Sequence, residues 1–257
     1  MTTLTLIEKI PQTNLNEVEY ALSQLLRSLS LGLNVNFALM GLDESGHLSI
    51  EVGGEDAEVL TSLLSRNLVL TEALKMPPPT NYILKATVKE INSGEAELLL
   101  DLGSSVYEGS ITKEHLKAYL LDGRDLPLPA LADLFCLNEG VPVEVRVVTV
   151  DECKRRVYVE FTSLQLLTLM GWISDLLERV VVVGVTRRQI KNALAKAGSL
   201  RKIVKIERLG FLSHAIPCKL GYPASSIETS LKKALPLAST YLFSPKNIVE
   251  HIVNRKL

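Results

Sequence analysis

Apolar positions in this chain fall into three runs of elements, broken once by a stiff segment. Thr3–Lys9 (TLTLIEK) alternates apolar and polar residues, the period-two pattern of a strand. Val18, Ala21, Leu22, Leu25 and Leu29 then recur at helical spacing. Asn14 stands at the N-cap position with Glu17 three residues on, the arrangement of a capping box. Val35–Leu42 and His47–Val52 read as strands joined by the turn Asp43-Glu44-Ser45-Gly46, followed by a helix over Asp56–Ser65 and a short strand, Leu68–Glu72. The order βαββαβ is that of the ferredoxin-like fold. Met76-Pro77-Pro78-Pro79-Thr80 can continue neither a helix nor a sheet ladder and marks a boundary.

The last third repeats the order. Arg179–Val185 (RVVVVGV) reads as a buried strand. Thr186 caps a helix through Ala197 that carries Ile190, Ala193, Leu194 and Ala197 on one face and ends at Gly198. Lys202–Arg208 and Phe211–Leu220 read as strands, Ser225–Leu235 as a helix closed by Pro236, Thr240–Phe243 as a strand and Asn247–Asn254 as a terminal helix. Ser163–Leu177, rich in Leu and with Met170 and Trp172, is apolar all round, which predicts a helix buried between domains. The expected organisation is therefore an acidic ferredoxin-like module at 1–75, a β domain at 80–162, a connecting helix at 163–178 and a basic ferredoxin-like module at 179–257.

In the central segment Tyr82–Ile91 and Ala96–Leu102 form a hairpin through Asn92-Ser93-Gly94-Glu95. After Val106–Ile111 comes a connection that is helical near Lys113–Leu121 and Pro-rich at Leu126–Pro129. Gly140–Val150 and Arg156–Phe161 are again strands. With Leu100-Asp101-Leu102-Gly103, Glu108-Gly109 and the run from Gly140 to Asp151 leading into Arg156-Val157-Tyr158, the segment resembles the S1 domain, an RNA-binding form of the OB-fold. That resemblance implies a β-barrel, so the whole chain is expected to be α+β, two ferredoxin-like modules flanking an S1-like barrel. S1 domains place an aromatic directly after the Glu-Gly pair, where a base stacks, and this chain has Ser110 there. The whole chain also resembles an archaeal domain-of-unknown-function family, a likeness that carries no activity with it.

Charge alters this picture. Residues 166–257 hold fifteen Lys and Arg against five Asp and Glu, a net +10, whereas residues 1–80 carry −6 and residues 81–165 carry −5. A concentrated positive field draws polyanions, nucleic acid above all, and the acidic S1-like segment is poorly suited to grip polyphosphate. The candidate contacts are Arg187, Arg188 and Lys191 on the first helix of the basic module, Arg201, Lys202, Lys205 and Arg208 around its second strand, with Lys202 and Arg208 on one face by parity, and Lys232 and Lys233 on its second helix; Arg255 and Lys256 add charge at the tail. Two arginines beside a helix N-terminus are mildly unfavourable, by roughly 0.3–1 kcal/mol each, unless an anion sits there.

Nothing points to a reaction. The chain has no P-loop, G-x-G-x-x-G, H-E-x-x-H or Ser/His/Asp order, and Cys136, Cys153 and Cys218 stand singly, so neither a metal site nor a cofactor is expected. The opening residues lack the pattern of a signal peptide, and the apolar runs are too short to span a bilayer, so a cytoplasmic, non-enzymatic protein is expected. Its partner class is RNA, structured or single-stranded. The alternatives are a protein adaptor docking an acidic partner or its own acidic domains in a homo-oligomer, and a regulatory protein binding a small ligand between its paired modules.

Overall fold

Alternation builds the first sheet. In the computed structural model, which describes residues 2–10, 14–44, 46–68, 70–72, 77–92, 94, 96–104 and 106–253, the elements are β1 (Thr2–Leu6), α1 (Leu15–Leu29), β2 (Val35–Leu42), β3 (Leu48–Gly54), α2 (Ala57–Asn67) and β4 (Leu70–Glu72). The strands form an antiparallel sheet in the order β2-β3-β1-β4. Leu4, Leu6, Ile50 and Val52 face Val18, Leu22 and Leu26 of α1 and Leu60 and Leu64 of α2. The intervening Thr3, Asn36, Ala38 and Glu51 lie on the open face, which offers neither a cation nor an aromatic ring at those positions.

The middle of the chain is a closed barrel of β5 (Ile83–Asn92), β6 (Glu97–Asp101), β7 (Glu108–Thr112), β8 (Pro142–Asp151) and β9 (Arg156–Phe161), in the order β5-β6-β7-β9-β8, the architecture of an OB-fold. Val88, Leu98, Leu100, Ile111, Val143, Val145, Val157 and Val159 fill it. Gly109 is required here: a Cβ would lie 2.9 Å from Leu102 and 3.0 Å from Leu100. The connection from β7 to β8 holds α3 (Lys113–Leu120) and a second helix, α4 (Leu128–Leu134), where the sequence suggested only a Pro-rich link. Pro129 falls in the first turn of α4, where its missing N–H costs nothing.

After the barrel come α5 (Ser163–Ser174), β10 (Arg179–Val183), α6 (Arg187–Lys196), β11 (Glu207–Arg208), β12 (Ser213–Pro217), α7 (Ala224–Ala234), β13 (Ser239–Phe243) and α8 (Pro245–Val253). The antiparallel sheet runs β11-β12-β10-β13. It is covered on both faces. Val180, Val182 and Ile216 pack with α6 and α7, while Val181, Ala215 and Phe243 belong to the barrel's core together with Trp172 of α5.

Four expectations are corrected. Asn14 stands before α1 but makes no side-chain cap; its amide donates to the Gly184 carbonyl (3.2 Å) and its oxygen accepts from Gln189 (2.8 Å), tying α1 to the start of α6. The strand expected at Lys202–Arg208 shrinks to Glu207–Arg208, preceded by a 3-10 turn at Leu200–Lys202, so Lys202 and Arg208 share no strand face. The strand expected at Phe211–Leu220 is Ser213–Pro217, because Phe211 and Leu212 leave the sheet and enter the core of the first module. The connecting helix is buried along one side only: Leu169 and Trp172 pack inward, while Leu164 and Leu167 are 63% and 68% exposed. Ser45, Met76, Ser93, Glu95, Asn254, Arg255 and Lys256 lie outside the described residues. Among the described residues no helix is long and apolar enough to cross a membrane.

Candidate nucleic-acid interface

The barrel's outward face is occupied by its own charges. On β6, β7 and β9, residues of outward parity include Glu97, Glu108, Ser110, Arg156, Tyr158 and Glu160. Arg156 donates to Glu97 (2.9 Å) and Glu108 (3.4 Å), Lys89 to Glu108 (2.7 Å), and Arg146 pairs with Glu160. Ser110, at the position S1 domains give to a stacking ring, is 1% exposed and offers no surface for a base. The first module covers the neighbouring part of this face. Lys85 on β5 donates to the Ser65 and Leu68 carbonyls near the end of α2 (2.6 and 3.2 Å), its pKa lowered by burial. His47 Nε2 lies 3.2 Å from Asp101 on β6.

A second contact joins the first and last modules directly. The Glu8 carboxylate is buried and accepts from Phe211 N (2.5 Å), Leu212 N (2.9 Å) and Ser213 Oγ (2.7 Å). Gly210 stands beside it, where a Cβ would come within 2.6 Å of the carboxylate atoms. Burial raises the Glu8 pKa, opposed by those three hydrogen bonds and by the charge of Arg208. The sequence held one signal for this group: Glu8 follows Leu4 and Leu6 on the apolar parity of an alternating strand. Arg179 was likewise unforeseen. It opens a valine run, yet its buried guanidinium reaches the carbonyls of Trp172 (3.3 Å) and Leu177 (2.9 Å) and pairs with Asp175.

The expected basic residues divide between two ends of the last module. Ser213, Val183 and Ser239 are cross-strand neighbours at one end of the sheet, and Pro217, Arg179 and Phe243 at the other. The first end gathers the start of α6, the β11–β12 turn and the end of α7, hence Arg187, Arg188, Lys191, Arg208, Lys232 and Lys233. The other end gathers the end of α6 and the 3-10 turn, hence Lys196, Arg201 and Lys202, with Lys219 beside them through its N–H to the Lys202 carbonyl (2.8 Å), and Lys205 close by on the same edge. Thr186 and Gln189 form a full capping box on α6, as Thr186 suggested. Arg188 lies 5.8 Å over the Tyr20 ring of α1, so the first module engages it. Among the described residues only Lys205 (to Glu207, 3.1 Å) and Lys232 (to Glu228, 2.8 Å) of the expected contacts have a carboxylate partner.

His214 lies under the first end, directly across the ladder from Arg208, fully buried, with neither ring nitrogen hydrogen-bonded. Burial, then the charges of Arg208 and Arg187, push its pKa down to about 3. It is a neutral core group. Among the described residues no group of three or more His, Cys, Asp or Glu could hold a metal ion.

Residues 177–235 match the family of the DUF2110 C-terminal domain. No curated protein matches the chain. Similar solved structures include the intact alpha subunit of aIF2 from Pyrococcus abyssi (13% identity, TM-score 0.27, covering 66% of this chain and 98% of that one). They also include the a/eIF2alpha–aDim2p–rRNA complex from Pyrococcus horikoshii (18%, 0.27, 48% and 65%). A third is a multidomain protein with nucleic acid binding domains from Streptococcus pneumoniae (11%, 0.24, 77% and 54%). At these scores the matches carry no functional argument.

Proposed function

We propose that the protein is a non-enzymatic RNA-binding protein that holds the phosphate backbone on its C-terminal module. One contrast carries this reading. The barrel's face cations Lys89, Arg146 and Arg156 are each matched to a carboxylate, whereas Arg187, Lys191, Arg201, Lys202 and Lys233 have no ion pair among the described residues. Unmatched cations clustered on one module suit backbone contact, which is sequence-independent and driven by counterion release. The barrel then acts as a scaffold, and the acidic first module sets orientation. Both four-stranded modules are taken as ferredoxin-like, with 1–75, 80–162, 163–178 and 179–257 as the working units of a cytoplasmic protein whose RNA belongs to the ribosome or is a tRNA.

The test is RNA affinity titrated against salt. Removing one phosphate-binding cation should flatten the slope of log affinity against log salt by about 0.7–0.9. Arg187/Arg188/Lys191→Ala should weaken binding and flatten that slope. Absence of binding at low salt, or affinity unchanged in this variant, ends the proposal. Partners that persist after nuclease treatment would instead favour a protein adaptor.

A further inference from the structure

The end of the last module remote from Glu8 contains a cleft of about 390 Å³ between the α5–β10 link and the β12–α7 turn. Leu176, Lys219, Leu220, Tyr222, Pro245 and Lys246 line it. Three of these apolar side chains are left to water, Leu220 at 80%, Leu176 at 62% and Tyr222 at 46% exposed. The turn that presents two of them is fixed: Tyr222 N donates to the Lys219 carbonyl (3.1 Å), and Gly221 has φ +86°. Two cations, Lys219 and Lys246, line the cleft. Lys219 adjoins Lys202, next to Arg201, and none of the three has an ion pair among the described residues. Lys246 is exposed, with Glu250 3.7 Å away. The carboxylate that lines the cleft, Glu178, is already engaged, accepting the Ala224 N–H at the start of α7 (2.8 Å).

We propose that this cleft takes a single-stranded RNA segment, with a base laid on Tyr222 and Leu220 and the phosphates on either side held by Lys202, Lys219 and Lys246. The inference rests on the RNA reading above and adds to it a base-contacting site at the end of the module opposite Arg187, Arg188 and Lys191. Backbone binding alone needs cations and no ring. An exposed ring and aliphatic pair set among cations, Lys202 and Lys219 of them without an ion pair among the described residues, is the combination that stacks unpaired bases while tracking their phosphates. A duplex keeps its base faces stacked inside the helix and cannot lay one on the Tyr222 ring.

The experiment uses the full chain with a fluorescein-labelled twelve-nucleotide oligo(U) and a twelve-base-pair RNA duplex, read by anisotropy at low salt. Tyr222→Ala should weaken oligo(U) binding at least about fivefold, since a base–aromatic stack contributes about 1–3 kcal/mol. Tyr222→Phe should retain it, duplex binding should change little in either, and Lys219→Ala should flatten the salt dependence. Thermal melts should be unchanged, because both side chains are exposed. If the protein binds RNA but Tyr222→Ala and Lys219→Ala leave oligo(U) affinity unchanged, or lower duplex and oligo(U) affinity equally, the site is refuted while the RNA reading stands. Binding of phosphatidylserine vesicles in place of oligo(U) also overturns it. No RNA binding by the wild type removes both.

Discussion

β1 and β10 occupy the same place in two sheets of the same strand order, yet one reads TTLTL and the other RVVVV. The difference reflects what lies on the second face. β1 is covered by α1 and α2 on one side and turns Thr3 outward on the other. β10 lies between its own helices and the barrel, so Val180 and Val182 pack one way and Val181 the other. A strand buried twice cannot alternate. The charges follow the same division. The last module has one sheet face fixed to the barrel, and its basic residues gather at the two ends of that sheet.

The largest effect is expected at Glu8, where the two modules meet. Glu8→Ala should destabilise the protein by at least about 3 kcal/mol, because three buried donors lose their acceptor at about 1–3 kcal/mol each. Glu51→Ala, the same change on the open face, should stay within about 0.5 kcal/mol. Urea midpoints measure both, and equal values would mean that the Glu8 contact does not join the modules.

The next effect depends on pH. His214 stays neutral in the folded protein down to about 3, whereas the unfolded chain protonates it near 6.5. Between those values the unfolded state binds the extra proton. The contribution is complete above about 6.5 and is lost as pH falls toward 3, with a slope near 1.4 kcal/mol per pH unit. In His214→Leu the acid-side slope should be shallower by that amount; parallel stability curves would contradict this account. The smallest effect concerns the paired strands themselves. Val181→Thr should cost about 1–2 kcal/mol by burying a hydroxyl against the barrel, while Thr3→Val should stay within about 0.5 kcal/mol. Similar costs would show that β10 is not closed on both faces.

Local signals carried much of the architecture. The Thr186 cap, the barrel strands and the Glu108-Gly109 pair were legible because each depends on neighbours in sequence or on one fixed backbone approach. The edge of the last sheet was not. Phe211 and Leu212 carry a strand-like pattern, but burial in another module's core removes them from the ladder. Likewise Asn14 has the chemistry of a cap and uses it across the junction with Gly184 and Gln189. Of the candidate site, the set of basic residues was legible and its geometry was not. Parity grouped Lys202 with Arg208, whereas the fold sends them to opposite ends of the sheet and sets Lys202 beside Lys219, which spacing alone did not connect to it.

The order of elements apart from α4, the acidic–basic division and the absence of an aromatic at Ser110 are written along the chain, because periodicity, composition and residue identity are local properties. Which cations remain unmatched, and that Tyr222 and Leu220 stand exposed among them, emerges only when the modules are packed together. The same packing brings Glu8 to the Leu212 N–H, 204 positions away. Such contacts follow from how separately formed layers meet, and no window along the chain contains both partners.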